Sequence, residues 1–330
     1  MKRVTIYDVA KEAKVSLATV SRVINGLDIV REDTRERVQE AIQKLGYKPN
    51  AIAQGLALQK TTTLALVVPE ASFNYTGQII NGLLDVAKIY KYNIMLHTTT
   101  EGIMEINEII ENIIKSRVDG VIIYNDKLLY DELKELTKYQ FPIVLIGNRM
   151  SDDNVACVYV DIEKATYELV NKYLDRGSDK IAIIEDRKNP FAIKQMIDGA
   201  QRAFKEKGKE GFNFIDIPAN YRSSYEFLKN YFKDHNHDVI ITHRDSQALA
   251  TINAAQEHNI SIPDDMEVIC AIDTKYNAMV RPQLSGFAIP SYDLGAVAMR
   301  IMTKMLYNEA LEDKEIELSY LFTPRQSTKI

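Results

Sequence analysis

The first sixty residues and the rest of the chain follow different hydrophobic rhythms. Near the start, Ile6, Val9, Ala10 and Ala13 recur at helical spacing behind Thr5. Threonine is a helix-capping residue type, and Asp8 stands where the acid of a capping box belongs. Lys14-Val15 interrupts the pattern and Ser16 restarts it, as a second cap ahead of a helix over 17–24. Asn25-Gly26 stops that helix. Two short helices joined by three or four residues predict a helix-turn-helix. A third helix is predicted over 32–45, with Val38, Ile42 and Leu45 inward and Gly46 at its end.

On the second helix, Val20, Val23 and Ile24 are the apolar anchors, which turns Leu17, Ala18, Ser21, Arg22 and Asn25 outward. Ser16, Thr19, Ser21 and Asn25 are short polar groups suited to phosphates. Arg22 has the fork that pairs with guanine, and Leu17 and Ala18 can touch a thymine methyl. Pro49 opens a further Ala-rich segment reaching Lys60. It is shorter than the roughly 12 residues an isolated helix needs in water, so it folds only when something docks on it. Leu56 within it has no core nearby, and such side chains serve as minor-groove wedges.

Beyond residue 60, short apolar runs alternate with amphipathic stretches. Strands are predicted at 64–68, 94–97, 120–124, 143–146, 157–160, 181–184, 214–217, 239–242, 268–271 and 286–289, with helices such as 75–90 and 162–175 between them. Continuously apolar strands alternating with helices imply parallel sheets covered on both faces. Ten strands over this length predict two doubly wound subdomains with a ligand cleft between them.

Charge sharpens the division. Residues 1–60 hold eleven Lys/Arg and seven Asp/Glu, against thirty and thirty-nine in the rest, so a small basic module (+4) precedes an acidic body (−9). That asymmetry suits a polyanion at one end only. The longest apolar runs, 64–68 and 121–124, fall far short of the roughly 18 residues of a membrane span. The charged N-terminus lacks a signal core, which points to the cytoplasm. Cys157 and Cys270 lie in apolar stretches and read as buried thiols.

Catalytic signatures are missing from the sequence. The first strand is followed by Pro69-Glu70-Ala71-Ser72-Phe73-Asn74, not by G-x-G-x-x-G, and no G-x-x-x-x-G-K-[ST] occurs. His235 and His237 form H-x-H, but no third ligand follows, so a solvated turn is expected and no metal or cofactor. The body reads as a sensor, not an enzyme. Near the C-terminus, Tyr292, Ala296, Arg300 and Lys304 form an i, i+4 row opposite Leu294, Ala298, Ile301 and Met305. An aromatic anchor, a gap and two cations suit a phosphorylated protein partner.

The segments TIYDVAKEAKVSLATVSRVIN (5–25) and LGYKPNAIAQGLA (45–57) resemble the DNA-binding head and hinge of the LacI/GalR repressor family. The resemblance implies an all-α helix-turn-helix head (1–48), a hinge helix (49–60) and a periplasmic-binding-protein-like α/β body (61–330). It splits the body into an N-subdomain of about 61–160 and 290–322 and a C-subdomain of about 161–289 and 323–330. It further implies a homodimeric repressor on a pseudo-palindromic operator. Base reading falls to Leu17, Ala18 and Arg22, and backbone contacts to Thr5, Tyr7, Ser16, Thr19, Ser21 and Asn25. Minor-groove contacts fall to Asn50, Ala53, Gln54 and Leu56. Relatives carry Arg at the position of Gln54 and a small residue at that of Leu58, so a weaker operator contact is expected.

MVRPQLS (279–285), IPSYDLGAVAMRIMTK (289–304) and PRQSTK (324–329), with KTTT (60–63) and YKYN (90–93), resemble a carbon-catabolite branch of that family from Gram-positive bacteria. There the corepressor is serine-phosphorylated HPr, sometimes with a sugar phosphate, which assigns Tyr292, Arg300 and Lys304 to HPr. Phe73, Tyr75 and Asp273 are the candidates for an effector cleft. Sugar-binding relatives usually place Asp where this chain has Ile272, unless the chain shifts by one so that Asp273 serves, and often Arg where it has Met196. Two other readings are a repressor answering a small sugar or nucleoside, and a solute-binding protein without DNA function.

Overall fold

The computed structural model describes residues 4–48, 61–69, 74–99, 103–124, 130–185, 190–218 and 220–330. The chain forms two compact units, Met1–Thr62 and Thr63–Ile330. The first holds α1 (Ile6–Ala13), α2 (Leu17–Ile24) and α3 (Glu32–Leu45), as the capping pattern predicts. The segment 49–60, where the hinge helix is expected, lies outside the described residues.

The second unit contains two six-stranded sheets. The first is ordered β11-β5-β4-β3-β1-β2, from β1 (Thr63–Val68), β2 (Asn93–Thr98), β3 (Gly120–Ile123), β4 (Ile143–Ile146), β5 (Val155–Tyr159) and β11 (Glu315–Glu317). Every pairing in it is parallel. The second is ordered β12-β10-β9-β8-β6-β7, from β6 (Ile181–Glu185), β7 (Asn213–Asp216), β8 (Val239–Thr242), β9 (Glu267–Cys270), β10 (Ser285–Ala288) and β12 (Leu321–Thr323). It is parallel except for β12, which runs against β10. The ten predicted strands are present within two residues at each end. The sequence reading missed β11 and β12, three residues each, whose pairing partners lie far away along the chain.

Alternation along each strand feeds two cores. Leu64, Leu66 and Val68 enter one and Ala65 and Val67 the other; Ile181 and Ile183 oppose Ala182 and Ile184 in the second sheet. Helices cover both faces. In the first lobe α4 (Asn74–Ile89) packs on α12 (Ser291–Leu306). In the second, α7 (Ile162–Asp175) packs on α8 (Pro190–Glu206). Among the described residues the other helices are α5 (Ile103–Lys115), α6 (Tyr130–Thr137), α9 (Tyr221–Tyr231), α10 (Asp245–Glu257) and α11 (Lys275–Met279).

The chain crosses between the lobes three times. Ile162, Ile289 and Tyr320, one near each crossing, pack against the cores of both lobes. Glycines bring the main helix pairs together. A Cβ on Gly295 would sit 1.9 Å from the Ile79 carbonyl oxygen, and one on Gly82 would sit 2.0 Å from that of Tyr292. Gly199 approaches Glu163 in the same way.

His237 corrects the expected solvated turn, whereas His235 is exposed as expected. His237 is buried, its Nε2 2.8 Å from the Tyr231 hydroxyl, while His235 stacks on the Tyr231 ring with centroids 4.1 Å apart. Among the described residues no group of three or more His, Cys, Asp or Glu is arranged to hold a metal ion. Burial, reinforced by His235, pushes His237 below its ordinary value. Cys157 and Cys270 are buried and unpaired in any disulfide, and burial raises both thiols, that of Cys270 to about 12. Among the described residues no helix is long and apolar enough to cross a membrane.

Two outcomes follow from this packing. Gly295→Ala forces α4 and α12 apart at backbone, which does not yield, and should cost at least about 1–3 kcal/mol by urea unfolding; an unchanged midpoint would refute the close approach. His237 protonates more readily in the unfolded chain than in the fold. Its contribution is therefore complete above the ordinary imidazole value of 6.5 and declines as pH falls from there towards the lower folded value. Unfolding of His237→Gln between pH 7 and 5 should show a shallower pH slope than wild type, whatever its absolute stability.

Candidate nucleic-acid interface

The head is built on two helix caps. Thr5 donates its N–H (2.8 Å) and its hydroxyl (2.7 Å) to the Asp8 carboxylate and so fixes the entry to α1. Lys14 ends that helix in the left-handed region at φ 54°, and the Val15 N–H returns to the Ala10 carbonyl at 3.0 Å. This tight exit sets the angle at which α2 begins. Ser16 Oγ accepts from the Thr19 N–H at 3.2 Å and lies 2.9 Å from Thr19 Oγ1. Only one hydroxyl of that pair can donate to the other, so the second proton is left for an outside acceptor such as a phosphate oxygen.

Val9, Ala10, Ala13, Val20, Val23, Val38 and Ala41 form the buried core of the head, with Ile24, Ile42 and Leu45 at its margin. Small side chains at these positions let three short helices meet closely. Lys44 of α3 pairs with Glu12 of α1 at 2.6 Å on the surface. That core leaves the expected reading face outward. Leu17, Ala18, Arg22 and Asn25 are exposed, as are Thr5, Tyr7 and Ser16, while Thr19 and Ser21 are half-buried. Ser21 Oγ accepts from Asn25 Nδ2 at 3.4 Å, which orients the amide. Asn50, Ala53, Gln54 and Leu56 fall outside the described residues.

The two other expected surfaces are assembled differently from the sequence reading. Along α12, Tyr292, Arg300 and Lys304 are exposed, but Ala296 is buried and not the open gap expected. Gly82 brings α4 against the backbone there. Tyr292 donates its hydroxyl to Asp85 of α4 at 2.9 Å, and that carboxylate raises the phenol above its ordinary value. Asp85, which the sequence did not single out, therefore belongs to the same surface.

Of the residues expected to line an effector cleft, Tyr75 is buried edge-on to Tyr124, with centroids 6.3 Å apart, and Phe73 lies outside the described residues. Asp273 is held by Arg325 of the C-terminal tail through two bonds of 2.6 and 2.9 Å. That pair takes one acceptor site on each carboxylate oxygen and neutralises the charge that a sugar hydroxyl would otherwise meet. Ile272 and Met196 are buried apolar side chains. His243 and Arg244, buried at the carboxyl end of β8, were passed over. The run His243-Arg244-Asp245 straight after an apolar strand was the signal for them.

Comparison with known proteins places this arrangement. Residues 5–50 match the model of bacterial regulatory proteins of the lacI family, and 170–328 match a periplasmic binding protein-like domain. The chain is 38% identical to the HTH-type transcriptional regulator pepR1 of Lactobacillus delbrueckii subsp. lactis, covering 98% of each. It is 35% identical to catabolite control protein A of Priestia megaterium, covering 99% of each. The solved transcription regulator CcpA of Lactococcus lactis superposes with a TM-score of 0.71 at 25% identity, over 81% of this chain and 99% of that one. The lac repressor dimer bound to operator matches in fold, with a TM-score of 0.85 at 20% identity over 99% of each chain. The capped three-helix head on a two-lobed α/β body thus belongs to the LacI family, and the chain is a DNA-binding transcriptional regulator of that family, similar to catabolite control protein A.

Proposed function

We propose that this regulator works in the cytoplasm as a homodimeric repressor of carbon-catabolic genes, controlled by serine-phosphorylated HPr. The observation that carries the reading is the alliance of the rigid head, with Leu17, Ala18 and Arg22 outward on α2, and full-length likeness to catabolite control protein A. The head (1–48) lays α2 in a major groove at each half of a pseudo-palindromic operator. Leu17, Ala18 and Arg22 read bases, and Thr5, Tyr7, Ser16, Thr19, Ser21 and Asn25 hold the backbone. The hinge (49–60) orders only when two copies meet in the minor groove, with Asn50, Ala53, Gln54 and Leu56 in contact. The body from residue 61 pairs the two chains and decides whether the hinges meet. A body state that holds them together favours the operator, and one that separates them does not.

The HPr surface is Tyr292, Arg300 and Lys304. The two cations lie one turn apart on α12, and the bond to Asp85 fixes the tyrosine. A dianionic phosphoserine suits that pair. A regulator answering a small sugar, sugar phosphate or nucleoside through Phe73, Tyr75 and Asp273 is the second reading. Ile272, Met196 and the Asp273–Arg325 pair weigh against it, since apolar walls leave a buried hydroxyl unsatisfied. A solute-binding protein without DNA function would have no use for the head.

Arg22→Ala should cost about 1–3 kcal/mol per half-site on the operator and far less on random duplex, in gel shifts at fixed salt; equal losses on both would remove Arg22 from base reading. In calorimetry, wild type should bind phosphorylated HPr in preference to the unphosphorylated form. Arg300→Ala should lose about 1.5–3 kcal/mol of that preference. Binding of neither form by wild type, alongside a response to one of a panel of sugars, would establish the second reading instead.

A further inference from the structure

Among the described residues of the head, four large apolar side chains stand well out in solvent: Tyr7, Leu17, Leu27 and Ile29, at 68, 36, 47 and 73% exposure. Tyr7 and Leu17 already belong to the proposed DNA face. Leu27 and Ile29 have no part in it, nor in the core. They lie on the loop that leaves α2 directly after its Asn25-Gly26 stop.

That loop is held in place. The Leu27 N–H donates to the Arg22 carbonyl at 3.0 Å. Arg35 of α3 donates from Nη2 to the Leu27 carbonyl at 3.1 Å, and the same nitrogen lies 3.8 Å from the Asp28 carboxylate. Val30, the next residue after Ile29, packs on the head core. With both flanks anchored, the two aliphatic side chains cannot turn inward without breaking these bonds. The backbone bond from Leu27 to Arg22 also places the start of the loop at the end of the helix whose outer face carries Arg22. Asp28, the acid between the two side chains, is fully exposed, and Arg35 is shared between it at 3.8 Å and Glu32 at 3.5 Å.

We propose that this loop is a second, apolar reading element, in which Ile29 rests on a thymine methyl flanking the base read by Arg22 and Leu27 closes the space beside it. The apolar group that the major groove offers is the thymine C5 methyl, so an exposed isoleucine next to a recognition helix selects thymine. The inference rests on the DNA-reading role of α2 argued above, and goes beyond it by giving the α2–α3 loop base preference of its own.

The test uses the full chain. A preferred duplex is selected from a random pool with wild type, and each of its thymines is replaced in turn by uracil, which removes only the methyl. Binding is titrated by fluorescence anisotropy at fixed salt. At one thymine per half-site, outside the base read by Arg22, uracil should weaken wild type about fourfold, the worth of one buried methyl. Ile29→Ala should bind the thymine duplex more weakly by a similar factor and be indifferent to uracil at that position. Ile29 is exposed, so its substitution leaves the head core intact, and the helical circular dichroism of the variant should match wild type. Ile29→Asn, selected from the same pool, should lose the thymine. The proposal is overturned if uracil sensitivity is the same in wild type and Ile29→Ala, if no thymine is selected at the flank, or if Ile29→Asn keeps it. Failure of wild type to select any duplex would instead remove the DNA-reading role of α2 itself.

Discussion

The body is organised by helices that touch backbone to backbone. Gly82 and Gly295 seat α4 against α12 in the first lobe, and Gly199 seats α8 against α7 in the second. Each sheet is buried on both faces, so its covering helices must lie close enough to seal it. Backbone contact fixes the rotation of α12 about its own axis, because only one side of that helix has room for the carbonyls of α4. Once the rotation is set, Leu294, Ala298 and Ile301 enter the core, and Arg300 and Lys304 remain outside. The surface proposed for a phosphorylated partner is thus a consequence of where two glycines fall.

The head solves a different problem. With a core of mostly small side chains, it relies on caps and turns for rigidity. The Thr5–Asp8 box, the left-handed Lys14 and the Ser16–Thr19 pair define the start of both helices and the angle between them. The result is a preorganised face whose polar groups are already oriented before a ligand arrives, which lowers the ordering cost of binding. Arg35 extends this rigidity to the loop after α2, tying it to α3 by its backbone.

The cleft chemistry departs from what a neutral sugar needs. Ile272 and Met196 are apolar and buried, and Asp273 is occupied by Arg325 from the last residues of the chain. Ser327 and Thr328 stitch the same tail to β9 and β10, with Ser327 Oγ donating to the Val268 carbonyl at 2.6 Å and Ser285 Oγ 2.7 Å from Thr328 Oγ1. Internal partners therefore take polar groups that a ligand would otherwise engage.

Elements whose signals are local were legible from the residues alone. The caps at Thr5 and Ser16, the stops at Asn25-Gly26 and Gly46, and helices 17–24, 32–45 and 162–175 appear where spacing and capping chemistry put them. The apolar strands were equally legible, and so was the outward face of α2, because a helix with three apolar anchors has only one other side. What the sequence left undecided depended on residues far apart. The strand Glu315–Glu317 has no pattern of its own and exists because β5 offers it an edge. Ala296 looks exposed in its heptad until Gly82, more than two hundred residues earlier, arrives against it. Asp273 looks available until Arg325 reaches it, and His237 looks solvated until Tyr231 and the surrounding core close over it. Local chemistry determines helices, caps and strand character because its partners lie within a few residues. Which faces are left for ligands is decided by long-range packing, where a side chain's environment is made by neighbours the local sequence does not contain.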